Sequence, residues 1–189
     1  MGRLIVEQIT SVDGYAADAE GGIGFFIDAS AVNAADQEQL HMLGTVGAIV
    51  LGARTYRMFA DYWPGADPAR EPVAGPIARL PKYVVSSTLA EAAWGPDQSA
   101  TLLRGDGVAA VRALRGQVDG DLIVWGSLTL ADALLQAGEV DVLRLRIVPV
   151  LIGRGRSFAP PELGERPLAL RSARQFEGGL VVLEYATRA

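Results

Sequence analysis

Residues 121–158 read DLIVWGSLTLADALLQAGEVDVLRLRIVPVLIGRGRSF, and their reading decides the fold class. Leu122, Ile123, Val124 and Trp125 form an apolar run of the kind that becomes a strand covered on both faces. Gly126 and Ser127 let the backbone turn without a bulky side chain. Thr129 and Asp132 have capping-box spacing and predict a helix start. Leu130, Ala131, Leu134 and Leu135 give that helix one apolar face, and Gly138 is a natural stop. A second strand follows over 142–150, where Leu143, Leu145 and Ile147 alternate with Arg144 and Arg146. Strand, helix and strand in this order make a βαβ unit. The amides at its helix start suit an anion such as phosphate, although a plain βαβ connection with no ligand fits the stretch equally well.

The whole chain extends that pattern. Residues 4–10 read as a mostly apolar first strand, left through the turn Ser11-Val12-Asp13-Gly14-Tyr15. Gly21-Gly22-Ile23-Gly24, followed by Phe25-Phe26-Ile27, reads either as a lid over a pocket or as a surface loop with a hydrophobic anchor. A helix is expected over 31–43, with Leu40 and Leu43 inward. A strand over 48–51 leads into a helix from Thr55, whose Tyr56, Phe59, Ala60 and Trp63 recur at helical spacing. Residues 67–80, rich in Pro, Ala and Gly, read as a loop. Strands are expected over 82–86 and 100–103. A helix over 107–115 should turn Val108, Val111 and Leu114 inward. Residues 168–176 and 179–186 read as an antiparallel pair joined at Glu177-Gly178-Gly179. The sum is an α/β fold, with a mostly parallel central sheet and an antiparallel edge hairpin at the C-terminus. Arg144 and Arg146 are expected to cover a sheet edge or to face a ligand.

Composition narrows the function. The 189 residues suggest one domain over 1–189. A net charge of −5 argues against a broad nucleic-acid footprint. With no cysteine and only one histidine, His41, disulfides, thiolate metal sites and His-rich metal sites are excluded. No apolar run approaches a membrane span, and no long apolar segment precedes a cleavage site, so the expected compartment is the cytoplasm.

Chemistry is expected where three strand ends run into small or polar residues: Gly52-Ala53-Arg54-Thr55, Ser86-Ser87-Thr88 and Gly126-Ser127-Leu128-Thr129. In a parallel sheet these ends share one rim, where ligands bind. Two helix starts, several hydroxyls and a guanidinium suit a doubly phosphorylated ligand. Neither GxGxxG nor GxxxxGK[ST] is present. A hydrolase using His41 as base is disfavoured, because His41 falls mid-helix and there is no Gly-x-Ser-x-Gly elbow.

Taken in order, Ser11-Val12-Asp13-Gly14, Leu51-Gly52-Ala53-Arg54-Thr55-Tyr56, Val85-Ser86-Ser87, Val124-Trp125-Gly126-Ser127 and Pro149-Val150-Leu151-Ile152-Gly153-Arg154-Gly155 carry a family resemblance. The chain resembles the dihydrofolate-reductase-like proteins, in particular the reductase domain at the C-terminus of the riboflavin-biosynthesis deaminase-reductase, in a stand-alone form. The resemblance runs from Arg3 to about Tyr185. It implies the three-layer dihydrofolate-reductase-like fold with flanking helices and an NADPH-dependent reductase. It also implies that Gly52 to Thr55 and Gly126 to Thr129 hold the cofactor pyrophosphate, that Ser86 and Ser87 lie near the 2′-phosphate, and that the loop after the first strand covers the nicotinamide. Two departures stand out. Ala53 occupies a place where dihydrofolate reductases usually carry arginine, with Arg54 one residue later, which leaves NADPH and NADH both open. The glycine turn at Gly126 is reduced, flanked by Trp125 and Ser127.

Hydride transfer to a C=N or C=O group requires a proton at the acceptor. By the same resemblance Asp36 matches the pterin-binding carboxylate, while Asp13 is the candidate in the riboflavin-pathway reductases. Asp13 before Gly14 also suits plain turn chemistry. The implied substrate is a small heterocycle, either pterin-like or ribosylaminopyrimidine-like, and the implied assembly is a homodimer. The alternative is a nucleotide- or flavin-binding module on the same fold without catalysis.

Overall fold

The computed structural model describes residues 2–27 and 35–188. In chain order the elements are β1 (Leu4–Thr10), β2 (Tyr15–Ala17), α1 (Gly24–Ile27), α2 (Asp36–Leu43), β3 (Val46–Gly52), α3 (Ala53–Tyr62), α4 (Ala74–Arg79) and β4 (Lys82–Val85). There follow β5 (Ala93–Trp94), β6 (Gln98–Ser99), β7 (Thr101–Leu103), α5 (Gly107–Arg115), β8 (Asp121–Trp125), α6 (Leu128–Gln136), β9 (Val142–Ile147), β10 (Arg156–Ser157), β11 (Ala169–Gln175) and β12 (Val181–Ala186). The expected helix over 31–43 is present as α2, and residues 31–34 lie outside the described residues.

The central sheet has eight strands in the order β11-β12-β9-β1-β8-β3-β4-β7. The six from β9 to β7 run parallel. The β11–β12 hairpin closes the sheet in antiparallel fashion against β9. Apolar residues cover both faces, as central parallel strands require. Ile5, Ile49, Leu51 and Ile123 pack with Tyr56 and Trp125 on the face covered by α2 and α3. Leu4, Val6, Val50 and Val124 pack with Val111, Leu114, Leu130 and Leu134 on the face covered by α5 and α6. This α/β arrangement, with its mostly parallel sheet and C-terminal antiparallel hairpin, is the expected fold.

Three expectations are corrected. Residues 67–80 are not wholly loop: α4 forms there because Ala74 and Ile77 find a buried seat, which local composition does not reveal. The Thr129–Asp132 capping box does not form. Gly126 and Ser127 both take left-handed backbone angles, with φ of 51° and 49°, and bring the chain into α6 at Leu128 with no side-chain cap. The Asp132 carboxylate instead pairs with Arg156.

The arginines of β9 cover no sheet edge, because β9 lies between β1 and β12. Arg144 is 1% exposed. Its Nε donates to Glu7 Oε2 at 2.5 Å, and its other nitrogens donate to both carboxylate oxygens of Glu38. Gln39 and Trp125 donate to the remaining oxygen of Glu7, each at 2.8 Å. Burial alone would lower the Arg144 pKa; Glu7 and Glu38 outweigh it and raise the value above that of free arginine. Such a cluster is stable only while every member is present, because one deletion strands a charge in the interior. Arg144→Met is therefore expected to cost about 3–5 kcal/mol of folding free energy in urea denaturation.

Candidate active site

Parallel pairing puts the carboxyl ends of β8, β3 and β4 side by side. Val50 is in register with Val124, and Gly52 with Val85. The turns beginning at Gly52, Ser86 and Gly126 therefore share one rim, as expected.

Two of these turns are locked together. The Gly52 amide donates to Ser127 Oγ at 2.8 Å, and that hydroxyl donates to the Trp125 carbonyl at 2.8 Å. The Ser127 amide donates to Thr55 Oγ1 at 2.9 Å. Gln8 Nε2 ties the Gly126 carbonyl to β1 at 2.6 Å. Glycine suits position 126 in this knot. It has positive φ, and an added Cβ would stand 3.3 Å from Thr55 Oγ1.

The sequence suggested free amides throughout both turns. Those of Gly52 and Ser127 are in fact consumed by the knot. What remains are the first-turn amides of α3, at Ala53, Arg54 and Thr55, and of α6, at Leu128 and Thr129. Neither helix carries a side-chain cap, whereas α5 is capped conventionally by Asp106 on the Ala109 amide. Two uncapped helix starts placed side by side form a cradle for anionic oxygens.

The third turn is partly self-satisfied. Ser86 is buried, and its Oγ accepts from the amides of Thr88 and Leu89 at 3.2 and 3.1 Å. Ser87 is exposed. The sequence reading missed Arg104, which follows β7, the neighbour of β4. Its guanidinium donates to the carbonyls of Ser86 and Ala90 at 3.3 and 3.4 Å. The signal that finds it is positional: a cation directly after the strand beside β4.

The Arg54 guanidinium reaches the glycine-rich loop, donating to the Gly21 carbonyl at 2.7 Å. A Cβ on Gly21 would lie 2.5 Å from that guanidinium, so the loop sits flush on it. Asp18 Oδ1 holds the loop's shape by accepting from the amides of Glu20 and Gly22. Phe25 and Phe26 meet edge to face and pack against Ala35, Val148, Leu180 and Val182.

The two candidate carboxylates differ. Asp13 is exposed and braces two loops, accepting from the amides of Gly153 and Ile152 at 2.7 and 3.3 Å. The Ser11 hydroxyl and these amides hold its carboxyl below the usual range, so it is an acceptor near neutral pH. Asp36, in the first turn of α2, is partly buried. Burial raises its pKa against the opposing pull of Arg146. Among the described residues there is no cluster of three or more His, Cys, Asp or Glu placed to hold a metal ion, and no helix long and apolar enough to cross a membrane.

The fold is dihydrofolate-reductase-like. A solved dihydrofolate reductase from Enterococcus faecalis, complexed with NADP(H) and RAB-propyl, superposes with a TM-score of 0.57 at 14% identity, covering 100% of this chain and 98% of that one. The sequence matches the RibD C-terminal domain over residues 3–182, and the chain belongs to that family. A solved putative riboflavin biosynthesis protein from Shewanella sp. PV-4 superposes with a TM-score of 0.79 at 21% identity, covering 99% of both chains. An uncharacterised Bacillus subtilis protein, YyaP, is 24% identical over 185 residues, 97% of this chain and 94% of that one.

The knot generates a mutational test. Thr55→Val deletes one hydrogen bond to backbone and is expected to cost about 1 kcal/mol, whereas Ser127→Ala deletes two and is expected to cost about 2 kcal/mol. Both hydroxyls serve one turn pair, so the double mutant should lose less than the sum of the two in urea denaturation.

Proposed function

We propose that the protein is an NADPH-dependent reductase that transfers hydride to a small heterocyclic substrate, pterin-like or ribosylaminopyrimidine-like. The observation that carries this reading is the pair of uncapped helix starts locked together by Thr55 and Ser127. Their donor set fits a dinucleotide. Amides of Ala53, Arg54 and Thr55 on one side, and of Leu128 and Thr129 on the other, would hold the pyrophosphate, with Gly52 and Gly126 keeping the approach open. Ser87 and Arg104, beside Ser86, would read the adenosine end, and the Arg104 guanidinium takes over the 2′-phosphate role that Ala53 cannot fill. When bound, the nicotinamide supplies the hydride.

This chain's residues would supply position and the proton. The loop held by Asp18 and Arg54 excludes water from one side of the cleft. Asp36 is the carboxyl suited to furnish a proton, since burial keeps its acid form present to higher pH than an ordinary aspartate. Asp13 fixes the loop after β1 by clamping it to Ile152 and Gly153. A homodimer through the outer edge of β11 is part of the proposal, supported by the exposed Leu168 and Leu170 beside and within that strand.

Fluorescence titration tests the cofactor. NADPH is expected to bind well below about a millimolar, and Arg104→Ala to weaken NADPH about tenfold while leaving NADH nearly unchanged. Failure of both nucleotides to bind below that level removes the reductase reading. Asp36→Asn should keep nucleotide affinity and lose turnover. In the parent protein turnover should fall as pH rises through the Asp36 pKa, because the acid form is the one used. Full activity of Asp36→Asn across the pH range would assign the carboxylate to structure.

A further inference from the structure

Among the 17 lysines and arginines of this chain, Lys82 is the only lysine. Every other fixed cation is a guanidinium, which keeps its proton at any ordinary pH; an ammonium does not. Lys82 opens β4, whose other end leads to Ser86, so it stands at the sheet rim opposite the nucleotide cradle.

Its surroundings are unusual for a lysine. The residue is 6% exposed. Nζ donates to the Ala78 carbonyl at 2.6 Å and lies 4.8 Å from the centroid of the buried Trp94 ring. Burial, with no carboxylate to offset it, pushes the amine down to about 8. A substantial share of Nζ is then an uncharged nucleophile under mildly alkaline conditions.

Lys82 also borders an open surface depression of about 380 Å³, together with Ala78, Arg79, Leu80, Pro81, Gln98 and Ser99. Among the described residues, the lining side chains include a guanidinium, an amine, an amide and a hydroxyl, and no carboxylate. Such a lining favours an anionic guest. The β5–β6 hairpin forms one wall through Gln98 and Ser99, and α4 forms the other through Arg79.

We propose that Lys82 and this depression form a second site, which takes a small aldehyde or oxo acid bearing an anionic group and holds it as an imine on Nζ. The ammonium first gives a proton to water. The freed lone pair attacks the carbonyl carbon, the nitrogen gives a second proton to solvent, the oxygen takes two protons from solvent and leaves as water, and a protonated C=N bond replaces C=O. No electrons are gained or lost, and hydrolysis reverses the step. Arg79 pairs with the anionic group, Gln98 and Ser99 donate to it, and the Trp94 face supports the protonated imine as it supports the ammonium.

The single lysine makes the test clean, since amine labelling can fall only on Lys82 or the chain's α-amino group. The folded protein is treated with glyoxylate and cyanoborohydride, and the reduced adduct is located by peptide mass spectrometry. The expected result is a dominant adduct on Lys82, with a rate that rises through about pH 8. Rates are taken relative to labelling of the α-amino group in the same chain, which removes the intrinsic reactivity of each aldehyde; on that scale neutral propionaldehyde is expected to label Lys82 about fivefold more slowly, the scale of one exposed ion pair. Arg79→Ala, an exposed substitution that should not disturb folding, is expected to erase that difference. Lys82→Arg should lose the internal adduct and keep only that on the α-amino group. Labelling confined to the α-amino group, or reaching Lys82 only after unfolding in guanidinium, would overturn the site. Equal relative rates for the neutral and anionic probes would overturn its anion preference.

Discussion

Two hydroxyls, on Thr55 and Ser127, lock two of the turns at the carboxyl rim of the sheet together. Parallel pairing brings the ends of β3 and β8 near each other, but it does not fix how the chain leaves those strands. The hydrogen bonds from Gly52 to Ser127, from Ser127 to Thr55 and from Ser127 to Trp125 do. They spend polar side chains on the turns themselves. A serine or threonine in its usual capping position would cover the first amides of its own helix. Here each hydroxyl serves the neighbouring turn or strand end, and both helix starts stay open. Gln8 extends the same lock to β1 through the Gly126 carbonyl.

The second constraint is electrostatic. Glu7, in the middle of β1, faces the α2 side of the sheet among apolar neighbours, and its burial is tolerable only because Gln39, Trp125 and Arg144 satisfy it. Arg144 in turn binds Glu38 on α2. With Glu184 of β12 also paired to Arg144 at 3.5 Å, this cluster joins four strands and a helix beneath the segment that carries Asp36. Replacing such a cluster with hydrocarbon need not weaken a protein, so its presence here speaks for orientation more than for stability. It sets the seat of α2, and with it the position of the half-buried carboxyl that the proposed chemistry uses.

Loops far apart in sequence turn out to be single structural units. Ser11-Val12-Asp13-Gly14 and Val150 to Gly153 are separate motifs in the chain, yet Asp13 accepts from Ile152 and Gly153, and Val12 donates to the Val150 carbonyl. Their co-occurrence in the sequence has this contact as its physical cause. Arg54 behaves similarly. A guanidinium in a cofactor-like turn reads naturally as a phosphate ligand, but it reaches across to Gly21. The cation at the end of the sheet nearest Ser86 is Arg104, which lies fifty residues further along.

The sequence by itself determined the α/β architecture, the parallel core strands, the closing hairpin and the rim where Gly52, Ser86 and Gly126 gather. Periodicity and turn residues are local properties, and side-chain alternation is fixed by backbone geometry alone. Only the tertiary structure decided which polar atoms are free. The amides of Gly52 and Ser127 are spent, Ser86 caps its own turn, Asp132 meets Arg156 instead of capping α6, and Arg144 is sealed inside rather than covering an edge. Each of these outcomes depends on a partner between 24 and 137 residues away or on a backbone angle set by packing, apart from the local turn at Ser86. Hydrogen-bond saturation is a property of the folded neighbourhood, because a donor finds its acceptor only when the fold has brought the two within reach.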